Sequence, residues 1–149
     1  MEIIKRLSEV GASEEALRQL EVAVGSSLPT DYRRFMTETN GGRPQPSGFI
    51  FYKPSGRSDS SVRYFLTLNE REERYSIQEF LNQYGERFPQ KMLPIASDSF
   101  GNLVLLDVGA KSVGAVCFWD HEKESMDEPN WDNISNIAPS FTDFVNILE

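Results

Sequence analysis

The sequence predicts an α+β fold: a single domain, residues 1–149, in which a mixed, largely antiparallel sheet is wrapped by helices in the order α α β β α β β β α. Three observations carry this. Capped amphipathic stretches lie toward both ends of the chain. Apolar strand-like runs joined by short turns fill the middle. No repeat, low-complexity block or long linker divides the 149 residues, a length suited to one domain and one core.

The first helix is read in "SEEALRQLEVAVG". Ser13 caps it, Glu14 and Glu15 suit its positive end, Leu17, Leu20 and Val24 share a face, and Gly25 stops it. The second is "LPTDYRRFMTETNGG". Pro29 belongs in a first turn, where its missing N–H costs nothing. Leu28, Tyr32, Phe35, Met36 and Thr39 form the buried stripe, and Asn40, Gly41 and Gly42 end the helix. "GRPQPSG" reads as loop, then "FIFYK" and "VRYFLTL" as strands separated by the turn-rich "PSGRSDSS". "SIQEFLNQYGERF" is a third helix with a Ser76/Glu79 capping box. "MLPIA" is a short strand whose Pro94 marks an edge or a bulge. "NLVLLDV" and "VGAVCFW" are apolar on both faces, which places them centrally, with the four residues "GAKS" between them. "SFTDFVNILE" closes the chain as a helix, with Phe141, Phe144, Val145 and Leu148 inward.

Composition narrows the function classes. Hydrophobic residues make up 39% and charged residues 26%, an ordinary soluble balance. One cysteine excludes an internal disulfide, and the N-terminus lacks the apolar run of a secretory signal, so the expected location is the cytoplasm. No apolar run approaches a membrane span. A net charge of −8 argues against general binding to nucleic acid or anionic membrane and suits a basic partner. The charge is uneven. Residues 117–132 hold six acids and one lysine, a net of −5, while residues 43–63 hold four basic residues and one acid, a net of +3.

"FWDHE" holds the only histidine, His121, four residues after the only cysteine, Cys117. Along a strand, four residues at roughly 3.3 Å each separate the pair by about 13 Å, too far for a thiol–imidazole dyad. One Cys and one His do not make a zinc site. An EF-hand loop begun at Asp120 would put Ser125 at the glycine position and Trp131 at the bidentate glutamate position. No phosphate-binding glycine motif is present. No catalytic, metal-binding or cofactor-binding residues are therefore assigned. A carboxylate-dependent hydrolase is the least favoured reading, because no pattern selects two of the 23 acids. Asp98 is expected to close a turn with its side chain. His121 is expected to orient the strand exit by hydrogen bonding to a neighbouring carboxylate, adding some pH sensitivity.

Four segments in order resemble the SUKH superfamily, the Smi/Knr-like proteins. "LPTDYRRFMTETNGG" is similar to its first helix, carrying Leu28, Pro29, Tyr32, Phe35, Asn40, Gly41 and Gly42. "LPIASDSFGNLVLLDV" resembles its strand, D-x-x-G-N turn and strand, through Asp98, Gly101 and Asn102. "VGAVCFWDHE" resembles the next strand, through Gly114, Trp119, Asp120 and His121, and "SFTDFVNIL" its closing helix, through Phe141 and Phe144. The resemblance implies an α+β fold and a non-enzymatic protein-binding role. In bacteria that role is mostly immunity, the neutralising of a cognate toxin, often a nuclease with a basic surface. The alternative is a regulatory scaffold without a toxin, as in fungi. Asp120, Glu122, Glu124, Asp127, Glu128 and Trp131 are the expected partner-facing residues, since acids steer association with a basic protein and Trp anchors interfaces.

Overall fold

The computed structural model describes residues 1–149. Its elements run β1 Glu2–Lys5, α1 Glu14–Val24, α2 Thr30–Glu38, β2 Arg43–Gln45, β3 Gly48–Lys53, β4 Gly56–Ser61, β5 Tyr64–Phe65, α3 Ile77–Tyr84, β6 Met92–Ser97, β7 Leu103–Asp107, β8 Val116–Trp119, β9 Ile134–Ala138 and α4 Phe141–Asn146. A five-stranded sheet, ordered β5-β6-β7-β8-β9, is joined by two hairpin pairs, β1-β2 and β3-β4. Every ladder is antiparallel, with one isolated parallel bridge at Thr67–Ser76. No helix is long and apolar enough to cross a membrane.

The helices form where capping and periodicity place them. The Ser13, Ser76 and Ser140 side chains accept from the N–H groups of Ala16, Glu79 and Asp143. Gly25 ends α1 in the left-handed region at φ 75°. At the end of α2 the chain reverses through three consecutive positive φ values, Asn40 at 52°, Gly41 at 83° and Gly42 at 125°. Asn40 is buried, and its Oδ1 accepts the Leu68 N–H at 2.9 Å. A Cβ on Gly41 would stand 2.5 Å from the Leu66 carbonyl oxygen and 2.7 Å from that of Phe65. Gly41→Ala should therefore destabilise the fold by about 2 kcal/mol, read as a lower urea midpoint at unchanged m-value. An unchanged midpoint would show that the reversal is not under this constraint.

The sheet is covered on both faces. Val104, Leu106, Val116 and Phe118 point into the main core with α1, α2, α4 and β3. Leu103, Leu105, Cys117 and Trp119 point into a smaller core with Phe88 and Met92, against which Phe80 and Tyr84 of α3 pack. This is the two-sided burial expected of β7 and β8. Tyr32, Phe35 and Phe141 meet at ring distances of 5.0–6.4 Å, and Phe144 packs edge-on to Phe49 at 5.4 Å.

Several local expectations are corrected. "PSGRSDSS" is mostly strand, not turn: β4 pairs with β3 over six residues and only Pro54 and Ser55 turn. Its polar residues suit an exposed edge. "GRPQPSG" is not all loop, because β2 pairs with the unforeseen β1. β9 was also unforeseen. Of "VRYFLTL" only Tyr64 and Phe65 form a strand. Of the two placements expected for Pro94, the bulge is the one found: the β6-β7 register shifts between Pro94 and Ala96. The "GAKS" turn is longer than four residues, since β8 begins only at Val116 and Val113 is exposed. That loop is organised by Asp107, whose buried carboxylate accepts the N–H groups of Gly109, Ala110, Lys111 and Ser112 at 2.7–2.9 Å.

Candidate functional site

The end of β8 is where the core gives way to the acidic segment. Asp120 is only 8% exposed. Its N–H donates to the Asn133 carbonyl at 3.0 Å, and its own carbonyl accepts from Asn133 Nδ2 at 2.9 Å. Its Oδ1 accepts the Glu122 N–H at 3.1 Å and so caps a 3-10 turn, His121–Lys123. Its Oδ2 pairs with Lys53 Nζ of β3 at 3.3 Å. The side chain is thus occupied internally rather than offered to a partner.

The next residue is held by an amide. His121 Nδ1 lies 2.7 Å from Asn102 Oδ1, which also accepts the His121 backbone N–H at 3.2 Å. Asn102 Nδ2 donates to Asp98 Oδ2 at 2.9 Å, fixing which end of the amide faces the ring. The Nδ1 nitrogen is therefore the protonated donor, and the ring's partner is Asn102 rather than the expected carboxylate. Asp98 Oδ1 accepts the Phe100 and Asn102 N–H groups, closing the turn as expected. Ser60 Oγ of β4 donates to Asp98 Oδ2 at 3.0 Å. The imidazole covers Gly101, at φ 89°, where a Cβ would stand 3.1–3.4 Å from three ring atoms. The D-x-x-G-N turn and the D-H pair are therefore one hydrogen-bonded unit.

A second tether holds the loop farther on. Glu124 pairs with Arg87, whose Nε lies 3.0 Å from Oε2. The hydrogen bond from Arg87 holds the Glu124 carboxyl below the usual glutamate range against partial burial. The Arg87 guanidinium sits 4.9 Å from the Tyr84 ring centre and 5.4 Å from that of Trp119. Trp119 itself is fully buried and is no interface anchor. Trp131 is half-buried against the smaller core, with Lys111 Nζ 5.2 Å from its ring. Between the tethers and beyond them, Glu122, Asp127 and Glu128 are exposed, beside Met126 at 97% exposure.

The arrangement does not assemble a thiol–imidazole dyad. Cys117 lies in the smaller core with Sγ 3.4 Å from Asn136 Oδ1, and burial pushes its pKa up to about 11. The His121 ring is engaged with Asn102 and Gly101. No group of three or more His, Cys, Asp or Glu side chains is placed to hold a metal ion. Lys53, Arg87 and Asn133 were not foreseen. Lys53 precedes its partner by 67 residues and Arg87 by 37, and nothing local signals either pairing.

Residues 11–147 match the SMI1 / KNR4 family (SUKH-1). The chain is also 29% identical over 146 residues to the SPbeta prophage-derived uncharacterized protein YokK of Bacillus subtilis (strain 168), with 89% of this chain and 72% of that protein aligned. The aromatic cluster of α2 and α4, the Asn40-Gly41-Gly42 reversal and the Asp98–Asn102–His121 unit are where the motifs expected of such proteins meet, and the chain belongs to the SMI1 / KNR4 (SUKH-1) family.

Proposed function

We propose that the protein is a non-enzymatic, cytoplasmic immunity protein that binds and neutralises a cognate toxin presenting a basic surface. Family membership and the prophage origin of YokK support the reading. The observation that carries it is a pre-shaped acidic rim. The Lys53–Asp120 and Arg87–Glu124 pairs hold the segment down, and Glu122, Asp127 and Glu128 project around Met126. A rim ordered before encounter loses less entropy on binding, and unpaired acids accelerate approach to a cationic cleft. Of the six residues expected to face the partner, Glu122, Asp127 and Glu128 make direct contact, while Asp120, Glu124 and Trp131 hold the rim in shape.

The test is coexpression with the toxin domain encoded beside this gene. Rescue of growth and a stable complex are expected. The triple variant Glu122→Lys/Asp127→Lys/Glu128→Lys should slow association about 100-fold at low salt, with a smaller change in dissociation. Absence of both rescue and complex would overturn the reading. A complex formed at unchanged rate by the triple variant would move the interface elsewhere.

A further inference from the structure

A groove at the β5 edge of the sheet has the opposite charge. It is about 750 Å³ in volume and is lined by Lys5, Arg6, Arg43, Arg63 and Arg74, with Glu72 the one acid and Tyr64 and Tyr75 in its wall. Five cations against one carboxylate give it +4, on a chain whose total is −8. None of the five takes part in an ion pair: the four ion pairs in the molecule use Arg33, Lys53 and Arg87. Glu72 Oε1 instead accepts the Arg74 backbone N–H at 2.9 Å.

The fold brings these charges together against their repulsion. Lys5 and Arg43 are direct partners in the β1-β2 ladder, a placement of like charges that is destabilising unless an anion lies between or beside them. Arg63 and Arg74 flank two tyrosines whose rings stack at 4.2 Å, which sets the two guanidinium-bearing segments side by side. Ser99 adds a hydroxyl to the groove wall. Clustered cations with no acid paired to them form a positive patch suited to an anionic ligand.

We infer that this groove binds a short acidic peptide segment of a partner protein. The chemistry selects a polyanion, and the surroundings select a peptide over nucleic acid. Tyr64 is buried and Tyr75 is stacked on it with Arg74 beside its ring, so neither offers a free face to a base. A long phosphate chain would run out of the groove into the field of a remainder that carries −12, against −8 for the whole. A segment of a few carboxylates stays within the positive patch. The groove reaches Ser99, in the turn that holds His121, and binding of a peptide to the protein alone tests it separately from the toxin-binding reading.

The test uses fluorescence anisotropy of the full chain with a labelled ten-residue Glu/Asp-rich peptide, a single-stranded DNA of equal charge, and a salt titration. Saturable peptide binding at 50 mM salt is expected, weakening steeply as salt rises. Arg63→Ser/Arg74→Ser should weaken it by about 10-fold or more, and Arg18→Ser on α1 should leave it unchanged. Thermal unfolding of each variant checks that the fold is kept. No peptide binding at millimolar concentration, equal binding by the double variant, or tighter binding of the DNA would each overturn the inference. So would self-association in sedimentation that the double variant abolishes, since the occupant would then be a second copy.

Discussion

Replacing Asp107 with alanine should lower the unfolding free energy by about 3 kcal/mol, a fall in Tm of roughly 10 °C for a chain of this length. The carboxylate is 2% exposed and accepts four consecutive N–H groups, from Gly109 to Ser112. Four orphaned donors in a sealed core would cost more, but Gly109, Lys111 and Ser112 are exposed, and water recovers part of the loss. Asp107→Asn separates charge from shape. Its amide nitrogen must face at least one N–H donor whichever way it is turned, so at pH 7 it should fall close to the alanine variant.

The pH dependence of that difference has a definite sign. Burial alone would raise the Asp107 pKa, but the N–H bonds from Ser112, Gly109, Ala110 and Lys111 outweigh it and bring the carboxyl below its ordinary value of 3.8. A depressed folded value contributes stability that is complete above the unfolded pKa and is lost as pH falls through the folded one. The gap between the natural protein and Asp107→Asn should be constant above about pH 5 and narrow as pH falls below the ordinary carboxyl value toward the depressed folded one. Urea unfolding across that range measures it. A gap that widens on acidification would mean that the loop is held by the neutral acid.

The helices and the two central strands were legible because their signals are local. Ser13, Ser76 and Ser140 each cap the residue three positions on, and "LVLL" and "VCFW" bury every side chain. β1, β4 and β9 were not, because each lies at the edge of its sheet and buries little. "GRSDSS" has no apolar alternation to reveal it, and its register comes from β3 across a two-residue turn. The site divides the same way. That Asp98 would close its own turn was readable from "DSFGN", whereas its hold on His121 through Asn102 links residues nineteen apart and appears only when β6, β7 and β8 are side by side. Acidity marked residues 120–132 as a candidate surface, but charge cannot tell Asp120, consumed by Lys53, from Asp127, left in solvent.

Trp119→Ala should be the most damaging single substitution, destabilising by about 4 kcal/mol. The smaller core has only six buried residues, and the indole is the one that Tyr84 and Phe88 both meet edge-on, at ring distances of 6.0 Å. Trp119→Phe should cost far less, about 1 kcal/mol. It loses apolar area, but it also removes the indole N–H, which is buried without an acceptor and whose burial carries its own penalty. The alanine change should reach the surface as well. Arg87 rests over the indole while it pairs with Glu124, so loss of the ring releases the arginine and with it the second tether of the acidic rim. Amide exchange across residues 122–132 should accelerate in Trp119→Ala and in Arg87→Ala, although the latter costs only about 1 kcal/mol of global stability. If Trp119→Ala loosens the rim and Arg87→Ala does not, the indole acts through Trp131 and the core instead of through the ion pair. If neither does, the rim is ordered without this tether.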